Sequence, residues 1–100
     1  MARRTGDKYA LSAALLGLGC LAADLGDWHR AAMMHGAEHA LADQIGYRSN
    51  PFDARFRQES LDQARAALGD EQLQQAYARG RALSFDQAID LALGESRPAT

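Results

Sequence analysis

The sequence predicts an all-α protein of five helices. Apolar residues recur every three or four positions along most of the chain, which is the period of an amphipathic helix. Glycine, proline and short polar groups interrupt this pattern, and no stretch alternates apolar and polar residues long enough to predict a strand. A chain of 100 residues forms one domain, which we expect over residues 1–94 and followed by a disordered tail at 95–100.

The first helix is expected from about Asp7 to Leu25. Alternating steps of four and three residues place an apolar stripe on one side: Leu11, Leu15, Leu18, Ala22 and Leu25. A second apolar side contains Leu16, Cys20 and Ala23. A helix that is apolar on two sides should be covered on two sides. Gly17 and Gly19 each cost roughly 1 kcal/mol of helix stability relative to alanine, which indicates that another backbone approaches there.

The second helix should run to about Ile45, because Gly26 supplies a helix stop and Asp27 an N-cap. The two helices form a hairpin over residues 7–46, in which 34 residues from Ser12 to Ile45 have the pattern of one helix–turn–helix repeat. Such a repeat cannot bury its apolar faces alone and is normally one unit of a longer stack.

A loop at Tyr47 to Pro51 leads into the third helix, which is expected from about Phe52 to Leu68. Pro51 suits the first position of a helix, where its missing N–H costs nothing. Five residues of this helix are predicted to be buried: Phe52, Phe56, Leu61, Ala64 and Leu68.

The last two helices complete a C-terminal three-helix unit over residues 51–93. The fourth helix carries the same stop-and-cap signal at Gly69-Asp70 and should end at Gly80. Ser84 and Gln87 have capping-box spacing for a fifth helix that ends near Leu93. Its polar outer residues predict that the fifth helix caps the C-terminal side of the fold. Short connections predict that consecutive helices pack as antiparallel neighbours.

Composition excludes several classes of protein. The 11 basic and 13 acidic residues give a net charge of −2, which argues against direct nucleic-acid binding by this segment. The single cysteine, Cys20, excludes an internal disulfide and fits the reducing cytoplasm. No apolar run approaches the roughly 20 residues of a membrane helix. We therefore expect a cytoplasmic protein that binds no cofactor and contacts no membrane.

Part of the first hairpin resembles the tetratricopeptide pattern. The matching residues are Leu18-Gly19, Gly26-Asp27-Trp28 and Ala31. In that family, small residues allow close helix packing and the aromatic residue after Gly-Asp fills the groove between helices. The resemblance implies antiparallel helical hairpins in a right-handed arrangement, closed here by a C-terminal capping helix.

A second resemblance covers nearly the whole chain. It is carried by Gly6-Asp7, Leu25-Gly26-Asp27, Ala31-Ala32, Gly36-Ala37, Ala40-Leu41, Ile45-Gly46, Arg65-Ala66-Ala67-Leu68-Gly69, Ala76-Tyr77, Gly80-Arg81-Ala82-Leu83-Ser84 and Ala88 to Leu93. This order resembles the C-terminal helical-repeat end of large bacterial ATP-binding transcriptional regulators of the LuxR type and of cyclase-linked relatives. The chain departs from that pattern at His35, where leucine is usual, and at Glu38, where alanine is usual.

The resemblance implies a non-enzymatic interaction or sensor module. The chain has no Gly-x-x-x-x-Gly-Lys-Ser/Thr loop for a nucleotide phosphate. We therefore expect either a C-terminal fragment of such a regulator or a small relative of it.

One motif predicts a different activity. Residues 35–39 spell H-x-x-E-H, in which His35 and His39 lie on one helical face and could share a metal, with Glu38 as a base. A catalytic zinc site needs a third protein ligand, and His29 lies about 120° around the helix from His35. A metal-dependent hydrolase is thus an alternative function, and a purely structural homo-oligomer is another.

His35 and Glu38 also form an i, i+3 pair. We expect them at a wet edge, as is usual for charged residues. If they are packed in a seam instead, they could hydrogen-bond to each other and make packing pH-sensitive.

The first helix supplies the predicted interaction surface, which consists of Leu11, Leu15, Leu18, Ala22 and Trp28. A longer array would cover this side with a preceding repeat. We expect it to be an open face on which another protein or a second copy docks, with a homodimer formed through the first helix. Trp28, Met33 and Met34 otherwise have the spacing of core residues.

Overall fold

The structure of the protein is a computed structural model, which describes residues 2–46 and 51–93. Five helices form there: α1 (Ala2–Asp24), α2 (Trp28–Ile45), α3 (Pro51–Leu68), α4 (Asp70–Arg81) and α5 (Phe85–Leu93). The all-α prediction is confirmed, since these described residues contain no strand. Residues 47–50 of the loop predicted at Tyr47 to Pro51 and the tail predicted at 95–100 lie outside them, and Pro51 begins α3.

The helix ends follow the predicted signals only in part. Gly26 adopts φ of 81°, which lets the amide of Asp27 donate to the carbonyl of Ala22 over 2.8 Å and close α1. Asp27 is the N-cap residue of α2, as predicted, but its side chain makes no capping hydrogen bond. The capping box is confirmed, because the Gln87 amide donates to Ser84 Oγ over 3.1 Å and the Ser84 amide donates to Gln87 Oε1 over 2.9 Å.

Helix α2 lies at the centre of the fold and contacts all four other helices. Two glycines bring α2 and α4 into backbone contact. A Cβ atom on Gly36 would overlap the carbonyl oxygen of Tyr77, and one on Gly80 would overlap that of Met33. Helix α4 ends at Arg81, one residue beyond the predicted stop, so Gly80 lies within the helix and serves the crossing.

Helix α5 packs against α1 and α2. Its Ala88 and Ala92 join the main core cluster with four buried residues of the first hairpin: Leu15, Met34, Ala37 and Leu41. The prediction that α5 caps the C-terminal side is wrong, because it covers the stripe of α1 that was expected to be open. Arg30 Nη2 also donates to the carbonyl of Leu91 over 2.7 Å, which satisfies an end carbonyl of α5. A tetratricopeptide-like superhelix remains a prediction.

A second core cluster joins α2 to α3 and α4 through Ala32, Ala64, Leu73 and Ala76. Trp28, Met33 and Leu61 pack against it while remaining half-buried. The packing role predicted for Trp28 and the methionines is thereby confirmed.

The α2–α4 crossing predicts a large cost for any side chain at its centre. Gly36→Ala or Gly80→Ala should destabilise the protein by about 2–3 kcal/mol or more, because two backbones must separate to admit the methyl group. Gly17→Ala is the matched control. No atom lies within 4 Å of its Cβ position, so it should gain about 0.5–1 kcal/mol from better helix propensity.

Chemical denaturation of dilute protein measures all three variants. Equal stabilities for Gly36→Ala and Gly17→Ala would contradict the close crossing.

Candidate functional site

The predicted interaction surface on α1 is largely covered. Leu15 and Ala22 are buried, while Leu11, Leu18 and Trp28 are half-buried. The expectation of an open face is wrong for Leu15 and Ala22, because α5 and α2 pack on them. Apolar exposure on this side is greatest at the end of α1, where Leu25 is 76% exposed.

The seam between α2 and α3 contains two fully buried polar side chains, His35 and Glu38. The expectation that they lie at a wet edge is therefore wrong. They do not pair with each other either, since each finds its partner on α3. His35 Nε2 lies 2.9 Å from Ser60 Oγ, and Arg57 Nη1 donates to both carboxylate oxygens of Glu38 at 3.0 Å.

The imidazole of His35 is packed tightly against α1. A Cβ atom on Gly19 would lie only 2.8 Å from the ring. The group that approaches α1 at this glycine is therefore the imidazole of His35, and not the predicted backbone of another helix. Burial, with a smaller contribution from the Arg57 guanidinium, lowers the pKa of His35 to about 4. The ring is neutral at pH 7, and its Nδ1 has no hydrogen-bond partner.

The ion pair of Glu38 and Arg57 connects the same helices. Burial raises the pKa of the Glu38 carboxyl, and the adjacent Arg57 guanidinium partly offsets that rise. The backbone carbonyl of Glu38 also accepts a hydrogen bond from Ser12 Oγ of α1 over 3.3 Å. One turn of α2 is therefore tied by polar contacts to both α1 and α3.

The residues of the H-x-x-E-H motif do not converge on one point. His39 Nδ1 hydrogen-bonds the Tyr77 hydroxyl of α4, and its Nε2 lies 3.9 Å from an oxygen of Asp43, whereas His35 bonds α3. Within residues 2–46 and 51–93, no group of three or more His, Cys, Asp or Glu side chains has a metal-binding arrangement. The geometry gives no support to a zinc site at this motif.

A groove of about 380 Å³ lies between α1 and α3. Its sides and floor are formed by Tyr9, Ser12, Ala13, Leu16, Gly17, Cys20, Glu38, Asp53 and Phe56. Two aromatic side chains of the lining are exposed, Phe56 by 55% and Tyr9 by 49%, and Phe52, one turn before Phe56 on α3, is exposed by 73%. The sequence analysis did not predict this groove.

The prediction that Phe52 and Phe56 are buried is wrong, and the ion pair explains why. Helix α3 must turn Arg57 and Ser60 toward α2 to reach Glu38 and His35. Removing the partner of the buried Glu38 charge costs about 3–5 kcal/mol, and leaving buried His35 without Ser60 costs about 1–3 kcal/mol more, whereas burying both phenylalanines gains roughly 3–6 kcal/mol. The polar partners therefore set the rotation of α3, and the phenylalanines remain outside.

The lining of the groove includes the Cys20 thiol, with several carboxylates nearby. The pKa of the Cys20 thiol is raised by burial first and then by Asp24, Glu38 and Asp53, while Arg57 acts in the opposite direction. The thiol thus stays protonated at neutral pH, and its Sγ lies 3.8 Å from the carbonyl oxygen of Phe56. A protonated thiol is a poor nucleophile.

Comparison with known protein families, with curated proteins and with solved structures found no match for this chain. The resemblance to bacterial regulators therefore remains a prediction. Among the helices formed by the described residues, none combines the length and the apolar character that crossing a membrane requires.

The ion pair in the α2–α3 seam predicts that the stability of the protein depends strongly on Arg57. Arg57→Met should destabilise the protein by about 3–5 kcal/mol at neutral pH, because it leaves the Glu38 carboxylate buried without a partner. The deficit should shrink as the pH falls. The pKa of Glu38 is already raised, loss of Arg57 raises it further, and the folded protein then takes up a proton more readily than the unfolded chain.

The double variant Glu38→Met/Arg57→Met is the matched control, since two apolar side chains leave no buried charge. Its unfolding free energy should lie much closer to that of the original protein. A single Arg57→Met variant of unchanged stability would show that the pair does not hold the seam.

Proposed function

We propose that this chain is a non-enzymatic interaction module that self-associates through the α1–α3 groove. The observation that carries the proposal is the exposure of Phe52 and Phe56 beside an open groove. Contiguous apolar surfaces of this kind usually mark interaction sites. Because no atom lies within 4 Å of the Cβ position of Gly17, another helix can approach α1 closely there.

Charge complementarity favours a second copy as the occupant. Asp53 lies in the lining of the groove, Asp24 is close enough to raise the pKa of Cys20 there, and Arg55 stands beside the exposed phenylalanines with a 76% exposed side chain. In a twofold arrangement, the phenylalanines of each copy enter the groove of the other, and each Arg55 faces the opposite carboxylates. Arg55 now pairs with Glu59 over 3.2 Å, but an exposed pair of this kind contributes only about 0–1 kcal/mol and is easily exchanged.

The aromatic surface is large enough to form the centre of such an interface. Aromatic side chains bury about 200 Å² each when fully covered. At the exposures of Tyr9, Phe52 and Phe56, the three offer roughly 350 Å² per copy. A stable interface buries about 800 Å² per partner, so contacts along α1 and α3 would supply the remainder.

The resemblance to regulator C-termini supports a role for this module within, or beside, a cytoplasmic bacterial transcriptional regulator. In that setting the groove would bring two copies together without contacting nucleic acid itself. A hydrolase built on His35, Glu38 and His39 has less support, because the two histidines bond different helices.

Sedimentation at increasing protein concentration tests the proposal. The protein should be a dimer at high micromolar concentration, and Phe56→Glu should convert it to a monomer with unchanged helical content. Leu25→Glu is the matched control, because Leu25 is also exposed but lies at the other end of α1, away from the groove. That variant should remain a dimer.

A monomer at high micromolar concentration would overturn the proposal. Dissociation by Leu25→Glu but not by Phe56→Glu would move the interface to the C-terminal end of α1.

A further inference from the structure

We propose that His35 is an acid-sensitive latch that holds α3 on α2 and so controls the α1–α3 groove. Protonation of the ring releases α3, and the wall of the groove that carries Phe52 and Phe56 leaves with it. The effect on dimerisation rests on the function proposed above, whereas the release of α3 does not.

The latch follows from the hydrogen bonding of a fully buried ring. The neutral tautomer that donates from Nε2 to Ser60 Oγ leaves Nδ1 as an acceptor without a partner. A protonated imidazole carries an N–H on both nitrogens, and the second would have no acceptor. The ring also lies directly on the backbone at Gly19, which leaves no room on that side for a water molecule to accept it.

Nearby groups do not compensate for a charge on the ring. Arg57 of α3 is the charged side chain that acts on it, and its sign opposes protonation. The Glu38 carboxylate, one turn along α2, is engaged by Arg57 through both oxygens. Cys20 of α1 is an uncharged thiol at neutral pH, as its raised pKa requires.

Two other titrating groups near the seam need to be separated from His35. Burial lowers the pKa of His39, which bonds Tyr77 of α4, so it favours opening in acid like His35 but at the α2–α4 side. Burial raises the pKa of Glu38, so its protonation favours the folded form in acid and opposes the latch. Variants at His35 and His39 distinguish these contributions.

The size of the effect follows from linkage. The pKa of His35 is about 4 in the closed seam, and we expect it to rise toward the ordinary value of 6.5 when α3 is released. The free energy by which the neutral ring favours the closed seam is fully present above pH 6.5. It is lost progressively as the pH falls toward 4. At pH 5.0, the equilibrium for release should be about thirtyfold higher than at pH 7.5.

Hydrogen exchange of the α3 amides tests the latch. After correction for the intrinsic pH dependence of exchange, protection in α3 should fall about thirtyfold from pH 7.5 to 5.0. His35→Gln retains a donor for Ser60 but does not titrate, so its α3 protection should not fall over that range. His39→Gln should retain the full decrease. The same experiment on Phe56→Glu removes any contribution from dimerisation.

Two results would overturn the latch. One is α3 protection in the original protein that does not change with pH. The other is an NMR titration in which His35 takes up its proton near pH 6.5 while α3 remains protected, and this measurement needs no variant to fold. If α3 protection falls as expected but the protein is a monomer at every pH, the latch stands and the proposed dimer is wrong.

Discussion

The structure depends on the need to partner two polar side chains buried on the central helix. His35 and Glu38 lie on the side of α2 that the fold closes over, and water does not reach them. Ser60 and Arg57 of α3 satisfy them, which fixes the rotation of α3 about its own axis. That rotation leaves the aromatic residues of α3 outside and creates the groove. The need to partner polar side chains in the interior thus determines which apolar side chains are exposed on the surface.

The sequence predicted the helices well because their signals are local. Apolar periodicity, the glycine stops and the Ser84–Gln87 capping box act within a few residues, and the described residues form five helices close to the predicted bounds, except that α1 begins at Ala2 instead of about Asp7. The predicted faces were less accurate. Phe52 and Phe56 were predicted to be core residues from their hydrophobicity alone, because nothing near them in the sequence shows that α3 must turn Arg57 inward.

The placement of α5 was wrong for a related reason. A cap on the C-terminal side and a cover over α1 need the same amphipathic pattern, and only the tertiary contacts distinguish them. The signal that could have located the groove was present at His35 and Glu38. Both are unusual in an alanine-rich face, and a search for complementary residues three apart on another helix would have found Arg57 and Ser60.

The contact of α2 with α4 through Gly36 and Gly80 divides the molecule into two mechanically different halves. Where backbones touch, no side chain can change rotamer to absorb a displacement, so we expect α2 and α4 to move as one body. The α2–α3 seam is built from side chains, which can exchange partners. Any shape change in this protein should therefore occur as a hinge of α3 against a rigid α2–α4 pair, with the groove on the moving side.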